Sequence, residues 1–144
     1  MGGWTSCKNE YQGMSNYLAD TTVLIDHLRG EENAAVFLEK FSPYISTVTI
    51  AELIQGSKNK RDQVLAIKIC ETLPQLNIDK KISDAAIELM GKFCLSHGLN
   101  FLDALIAATA MENKLILVTG NLKHFKFIAG LKTISQNQIL TVSN

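Results

Sequence analysis

Apolar positions along this chain follow two rhythms. Short runs rich in β-branched and aromatic residues alternate with longer stretches where apolar residues recur every third or fourth position. The first kind predicts strands and the second helices. Tyr17-Leu18-Ala19 reads as a first strand, followed by a short helix over about residues 22–28 that ends at Gly30. Residues 31–41 predict a second helix, 44–47 a second strand, and 49–55 a helix that stops near Gly56. Leu65, Ile69 and Leu73 then stand four apart, with Val64 and Ile67 beside them, so residues 62–73 predict a helix that Pro74 ends. A short strand is expected over 76–78. Ile82, Ala85, Ala86, Leu89, Met90, Phe93 and Cys94 form the clearest helical series, with Gly98 as its C-cap. A helix over 103–113, a buried strand over 115–119 and a last strand over 132–134 complete the pattern. Strands alternating with helices indicate an α/β fold with a parallel sheet, although strand order is not legible from the pattern.

Composition narrows the class. A chain of 144 residues with 47% hydrophobic and 19% charged residues fits one folded domain rather than a disordered segment. Residues 1–13 are polar and Gly-containing, hold the single Trp (Trp4) and show no period. They read as an N-terminal extension to a domain over 14–144, with Met14 as a second candidate start. Fourteen basic and 14 acidic residues cancel, so nucleic-acid binding would need a local patch. No apolar run approaches the roughly 18–20 residues of a membrane span, and the first residues lack a charged-then-apolar leader layout. Cys7, Cys70 and Cys94 are odd in number and widely spaced, which suits neither a disulfide framework nor a CxxC metal knuckle. These features point to a reducing, cytoplasmic setting.

Three acids stand out by isolation. Asp20 is the only charged residue in YLADTTVLI, Glu52 in ISTVTIAELIQ, and Asp103 in LNFLDALIAATAM. Each lies in sequence that otherwise reads as core. Burying an unpartnered carboxylate costs up to about 4–7 kcal/mol, against a whole-domain stability of about 5–15 kcal/mol. Something must compensate, and no Lys or Arg lies in these segments. Asp20 and Asp103 precede predicted helices, so each could serve simply as an N-cap; Glu52 is less easily explained that way. The alternative is convergence of all three at the carboxyl ends of the strands, where α/β sheets bind ligands. Hard oxygen donors there would suit Mg²⁺ or Mn²⁺.

The blocks YLADTTVLIDHLRG, ISTVTIAELIQGS and FLDALIAATAMENKLILVTGNLKHFKFIAGLKTI resemble, in order and spacing, those of PIN-domain ribonucleases, particularly VapC-type toxins of toxin–antitoxin pairs. The resemblance covers residues 17–134. It implies a three-layer fold, a mainly parallel central sheet flanked by helices, and an acidic pocket holding Mg²⁺ or Mn²⁺. Asp20, Glu52 and Asp103 match the three family acids, and Thr22 a small polar position that supports the site. The family often carries a further acid in a Thr-x-Asp pattern; here Thr119-Gly120-Asn121 stands instead. Asn121 can supply a carbonyl oxygen or hold a water but brings no charge. The activity implied is metal-dependent hydrolysis of RNA, by a homodimer held inactive by a cognate antitoxin. Asp20 and Asp103 would ligate the metal, while Glu52 completes the shell or orients the attacking water.

Two competing readings are a non-catalytic PIN-like module that binds RNA or protein, and a receiver-like domain phosphorylated on Asp20. The second is weakened by the absence of an acid neighbouring Asp20. Asp26 is expected to be solvated or paired with Arg29. His27, His97 and His124 are expected to be structural or exposed, with His124 alone near the proposed site. Lys58, Lys60, Arg61, Lys123, Lys126 and Lys132 read as solvated faces that could contact phosphates, and Phe125 and Phe127 as packing residues.

Overall fold

A computed structural model describes residues 15–142; the extension over 1–13 and the alternative start at Met14 lie outside them. The strands are β1 (Tyr17–Ala19), β2 (Ile45–Ser46), β3 (Gln75–Leu76), β4 (Ile116–Val118) and β5 (Thr133–Ile134). The helices are α1 (Thr21–Leu28), α2 (Glu32–Phe41), α3 (Thr47–Gln55), α4 (Lys60–Glu71), α5 (Lys80–His97), α6 (Phe101–Glu112) and α7 (Gln136–Val142).

Every strand pairing is parallel. β1 pairs with β4 in the register Leu18 to Leu117, β4 with β5, and β2 with β3. A bridge between Leu18 and Tyr44 joins the two sets, with Ala19 N–H donating to Tyr44 O and Tyr44 N–H to Tyr17 O, both at 2.9 Å. The strands therefore lie side by side as β3-β2-β1-β4-β5. Strand side chains alternate between faces, and this divides the interior. Leu18 and Leu117 enter one core with Ile82, Ala86 and Leu89 of α5 and Ile106 of α6. Ala19, Ile45 and Val118 enter the other with Val23 and Leu24 of α1, Phe37 of α2 and Ile139 of α7. Helices thus cover both faces, the three-layer α/β arrangement that the sequence resemblance implies.

Element ends depart from the periodicity where caps take over. Ser46 Oγ accepts Val48 N–H at 3.1 Å, so β-branched Thr47 and Val48 begin α3 rather than extend β2. Asn59 and Asp79 cap α4 and α5 by accepting from Asp62 and Ile82 N–H. Asn100 caps α6, which therefore starts at Phe101, before Asp103. The final helix α7 and a 3₁₀ turn at Leu122–His124 carry no sequence expectation. Residues 104–110 of α6 are all buried, and four alanines among them let the helix press closely against its neighbours.

The long α5 stops where Gly98 turns left-handed (φ 68°), its N–H donating to Cys94 O at 2.9 Å. A Cβ there meets nothing within 4 Å, so the penalty for an L side chain is purely conformational. Gly98→Ala is expected to lower stability by about 1–2 kcal/mol, read as a reduced urea midpoint with an unchanged slope.

Candidate active site

Asp20 follows β1 directly, at the carboxyl end of the sheet. It holds the N-cap position of α1 without its side chain capping the helix. Its carboxylate points elsewhere: Oδ2 accepts the hydroxyls of Thr119 (2.8 Å) and Thr22 (3.0 Å). The direction of both bonds is fixed by the backbone. Thr22 Oγ1 already accepts Gly120 N–H and Thr119 Oγ1 accepts Asn121 N–H, each at 2.9 Å, so each hydroxyl proton is left for Asp20. Asp20 is only 4% exposed, and the loops after β1 and β4 are laced together around it.

Glu52 projects from the second turn of α3, where Oε1 accepts the Thr21 hydroxyl at 2.6 Å. Asp103 lies in the first turn of α6, and the cap reading expected for it fails because Asn100 occupies that position. Asn100 Oδ1 accepts Asp103 N–H at 2.9 Å, while Asn100 Nδ2 donates to Asp103 Oδ2 at 3.2 Å. His124 Nδ1 stands 3.4 Å from the same oxygen.

A common pattern runs through the three acids. Each commits one oxygen to neutral donors or to an imidazole. The other oxygen (Asp20 Oδ1, Glu52 Oε2, Asp103 Oδ1) accepts no hydrogen bond among the described residues. The acids also feel one another. Burial pushes the Glu52 carboxyl above its usual range, and the Asp20 and Asp103 charges push it further, against the Thr21 hydrogen bond. Burial raises Asp103 too, reinforced by Asp20 and opposed by His124 and Asn100. No Lys or Arg forms an ion pair with these acids among the described residues.

As the side chains stand, no group of three or more His, Cys, Asp or Glu forms a closed ion pocket among the described residues. The donor chemistry nonetheless fits a hard divalent cation: carboxylate oxygens that repel one another, with no Lys or Arg paired to them among the described residues. Glu52 also lines a groove with Thr47, Val48, Ala51, Gln55 and Leu102.

Asn121 comes to the same end of the sheet, its Nδ2 lying 3.3 Å from both ring nitrogens of His124. His124 is thus more intimately part of the site than its isolation in the sequence suggests; its spacing of three from Asn121, bent into a 3₁₀ turn, is the signal that could have revealed it. Thr21, Thr49 and Thr119 were likewise missed, although each flanks an acid or Asn121 in DTT, TVTIAE and VTGN. Asp26 is neither solvated nor paired with Arg29: it is half-buried, its Oδ2 accepts Gln136 Nε2 of α7 at 2.9 Å, and the same oxygen lies close to Gly120, beside Thr22. His97 stacks on Phe127 with ring centroids 4.3 Å apart, and Phe125 is core, both packing roles. Lys58, Lys60, Arg61, Lys123, Lys126 and Lys132 are exposed.

Comparison with known proteins agrees with this architecture. The PIN domain family model matches residues 17–131, and the chain belongs to that family. Among curated relatives it is 31% identical over 121 residues to Ribonuclease VapC19 of Mycobacterium tuberculosis, covering 80% of this chain and 96% of the relative. It is also 31% identical over 137 residues to Ribonuclease VapC1 of Rickettsia felis, covering 88% and 96%. Among solved structures, a toxin–antitoxin complex from Klebsiella pneumoniae gives a TM-score of 0.70 at 30% identity, covering 83% of this chain and 97% of that one. A DNA-bound VapBC from Salmonella typhimurium gives 0.76 at 23%, covering 85% and 99%, a likeness of fold.

The raised carboxyls make a pH prediction. A carboxyl raised on folding binds protons more tightly in the native state, so stability falls as pH climbs through its folded pKa and stays lower above it. Glu52→Gln and Asp103→Asn are therefore expected to raise the melting temperature of the metal-free protein near pH 7. The gain should vanish below the ordinary carboxylate range, about pH 4. Scanning calorimetry at both pH values checks this.

Proposed function

We propose that this chain is a metal-dependent endoribonuclease, the toxin of a type II toxin–antitoxin pair, acting in the cytoplasm. The observation that carries the reading is the trio of carboxylates that feel one another's charge, each with one oxygen held and, among the described residues, one unengaged and no Lys or Arg paired with it. The ribonuclease relatives support it. Asp20 and Asp103 would hold Mg²⁺ or Mn²⁺. When bound, such an ion acidifies water and offsets charge on phosphoryl oxygens.

The residues of the chain do the rest. Thr22 and Thr119 hold Asp20 through Oδ2, leaving Oδ1 without a hydrogen bond among the described residues. Glu52, tied through Oε1, would use Oε2 to complete the ion's shell or to orient the attacking water. Asn121 follows β4 where relatives often carry an acid, and offers an amide that can hold a water or a phosphoryl oxygen. The exposed Lys123, within the turn that bears His124, and Lys126, two residues beyond it, would contact phosphates of the RNA backbone.

A cognate antitoxin and a second copy of the chain are the proposed protein partners, because the structural neighbours include toxin–antitoxin complexes. The non-catalytic alternative rests on Asn121 alone, and relatives named as ribonucleases do not favour it.

Asp103→Asn is expected to reduce Mn²⁺-dependent cleavage of a structured RNA by roughly a hundredfold or more while leaving the circular dichroism spectrum unchanged. EDTA should abolish the parental activity, and Mn²⁺ should restore it. Full cleavage by the variant, or by the parent in EDTA, would refute the assignment.

A further inference from the structure

Glu52 belongs to two settings at once. Besides joining the acid cluster, it lines the groove between α3 and the start of α6 with Thr47, Val48, Ala51, Gln55 and Leu102. That groove encloses about 270 Å³. Sites for whole drug-sized ligands run from about 300 to 1,000 Å³, so this one suits a single small ring system.

The lining excludes most occupants. No Lys or Arg contributes to it while Glu52 does, so a phosphate or a carboxylate would be repelled. Val48, Ala51 and Leu102 supply aliphatic walls. Leu102 is 43% exposed although it immediately precedes Asp103, which leaves apolar surface uncovered beside an acid of the site. The polar groups are few and free. The Gln55 amide and the Thr47 hydroxyl take part in no side-chain hydrogen bond among the described residues. A matching occupant is flat and uncharged, apolar on its faces, and bears hydrogen-bonding groups on its edge. A nucleobase has that chemistry, and RNA is recognised through bases freed from stacking in single-stranded loops. Position agrees, because a strand whose phosphate lies at the acids has the adjoining base within reach of a groove that shares Glu52.

We propose that the groove holds the base of the nucleotide adjoining the phosphate that is cut. Val48, Ala51 and Leu102 meet its faces, and Gln55 and Thr47 meet its edge. Gln55 carries donor and acceptor in one amide, so it discriminates between bases and gives cleavage a sequence preference. Which phosphate is cut rests on the nuclease reading above; binding of the base does not.

The full-length chain is compared with Gln55→Ala, Leu102→Ala and Ala51→Leu, the last to fill the groove. Methyl resonances of Val48, Ala51 and Leu102 are followed while a hairpin RNA with a single-stranded loop is added in EDTA, so that binding is read without cleavage. These methyls should shift in the parent, and those that remain in Ala51→Leu should stay still. With Mn²⁺, the same hairpin is cut in versions that each carry one abasic ribose in the loop. Removing the base beside the cut should raise the parental KM about tenfold and cause no further loss in Ala51→Leu. Gln55→Ala should relax the base preference at that position. Mn²⁺ affinity without RNA should be parental in all three variants. Methyls unmoved by RNA, or an abasic series without effect in the parent, would overturn the base site. So would a change of oligomeric state in Leu102→Ala by sedimentation, which would make the groove an interface between copies. A parent that cuts no RNA sinks the nuclease reading instead, and the methyl shifts still decide the groove.

Discussion

Like charge gathered at the end of a parallel sheet is the constraint on which this molecule turns. Burial, reinforced by the Asp20 charge, raises the proton affinity of Glu52 and Asp103, and among the described residues no Lys or Arg pairs with the three acids. The fold answers with neutral donors: three threonine hydroxyls on Asp20 and Glu52, and an asparagine amide, with a histidine beside it, on Asp103. A hydroxyl stabilises a carboxylate without neutralising it, so the site keeps its negative potential. Helix N-termini contribute in the same sense, since Asp20 heads α1 and Asp103 lies in the first turn of α6.

Topology makes the gathering possible. The chain leaves β1 to build β2 on one side and returns later to lay β4 on the other. Such a reversal opens a crevice at the carboxyl ends of the strands. Asp20 enters it from β1, Glu52 from the helix after β2, and Asn121 from the turn after β4. Asp103 arrives from α6, whose buried alanines allow it to lie close against the sheet. Bonds from Thr119 to Asp20 and from Gly120 to Thr22 span nearly a hundred residues of sequence, so the site also fastens the two halves of the sheet together.

Much of the architecture was legible because burial imposes periodicity. Ile82 through Cys94 could be nothing but a helix resting one face on a core, and Tyr17-Leu18-Ala19 proved the strand it resembled. Boundaries were less legible where a cap outweighs propensity. Thr47 and Val48 favour a strand by side-chain shape, yet Ser46 pairs with the N–H of Val48 and turns the chain helical. Asp103 is a good cap by type, but Asn100 arrives first. Apart from Thr22, the supporting threonines were invisible as such, since a hydroxyl near an acid in the sequence does not reveal which carboxylate it will meet.

The sequence alone determined that three isolated acids would sit in apolar surroundings and need a compensator, because their neighbours' hydrophobicity and the lack of nearby Lys or Arg are local facts. It determined the α/β class for the same reason, since alternating rhythms are read within a few turns of chain. Only the tertiary structure decided which oxygen of each carboxylate is held, that His124 faces Asp103, and that Thr49 meets Thr21. The contacts made by Thr119, Thr21 and His124 join segments distant in sequence, and their geometry depends on strand order and helix placement that no local pattern encodes.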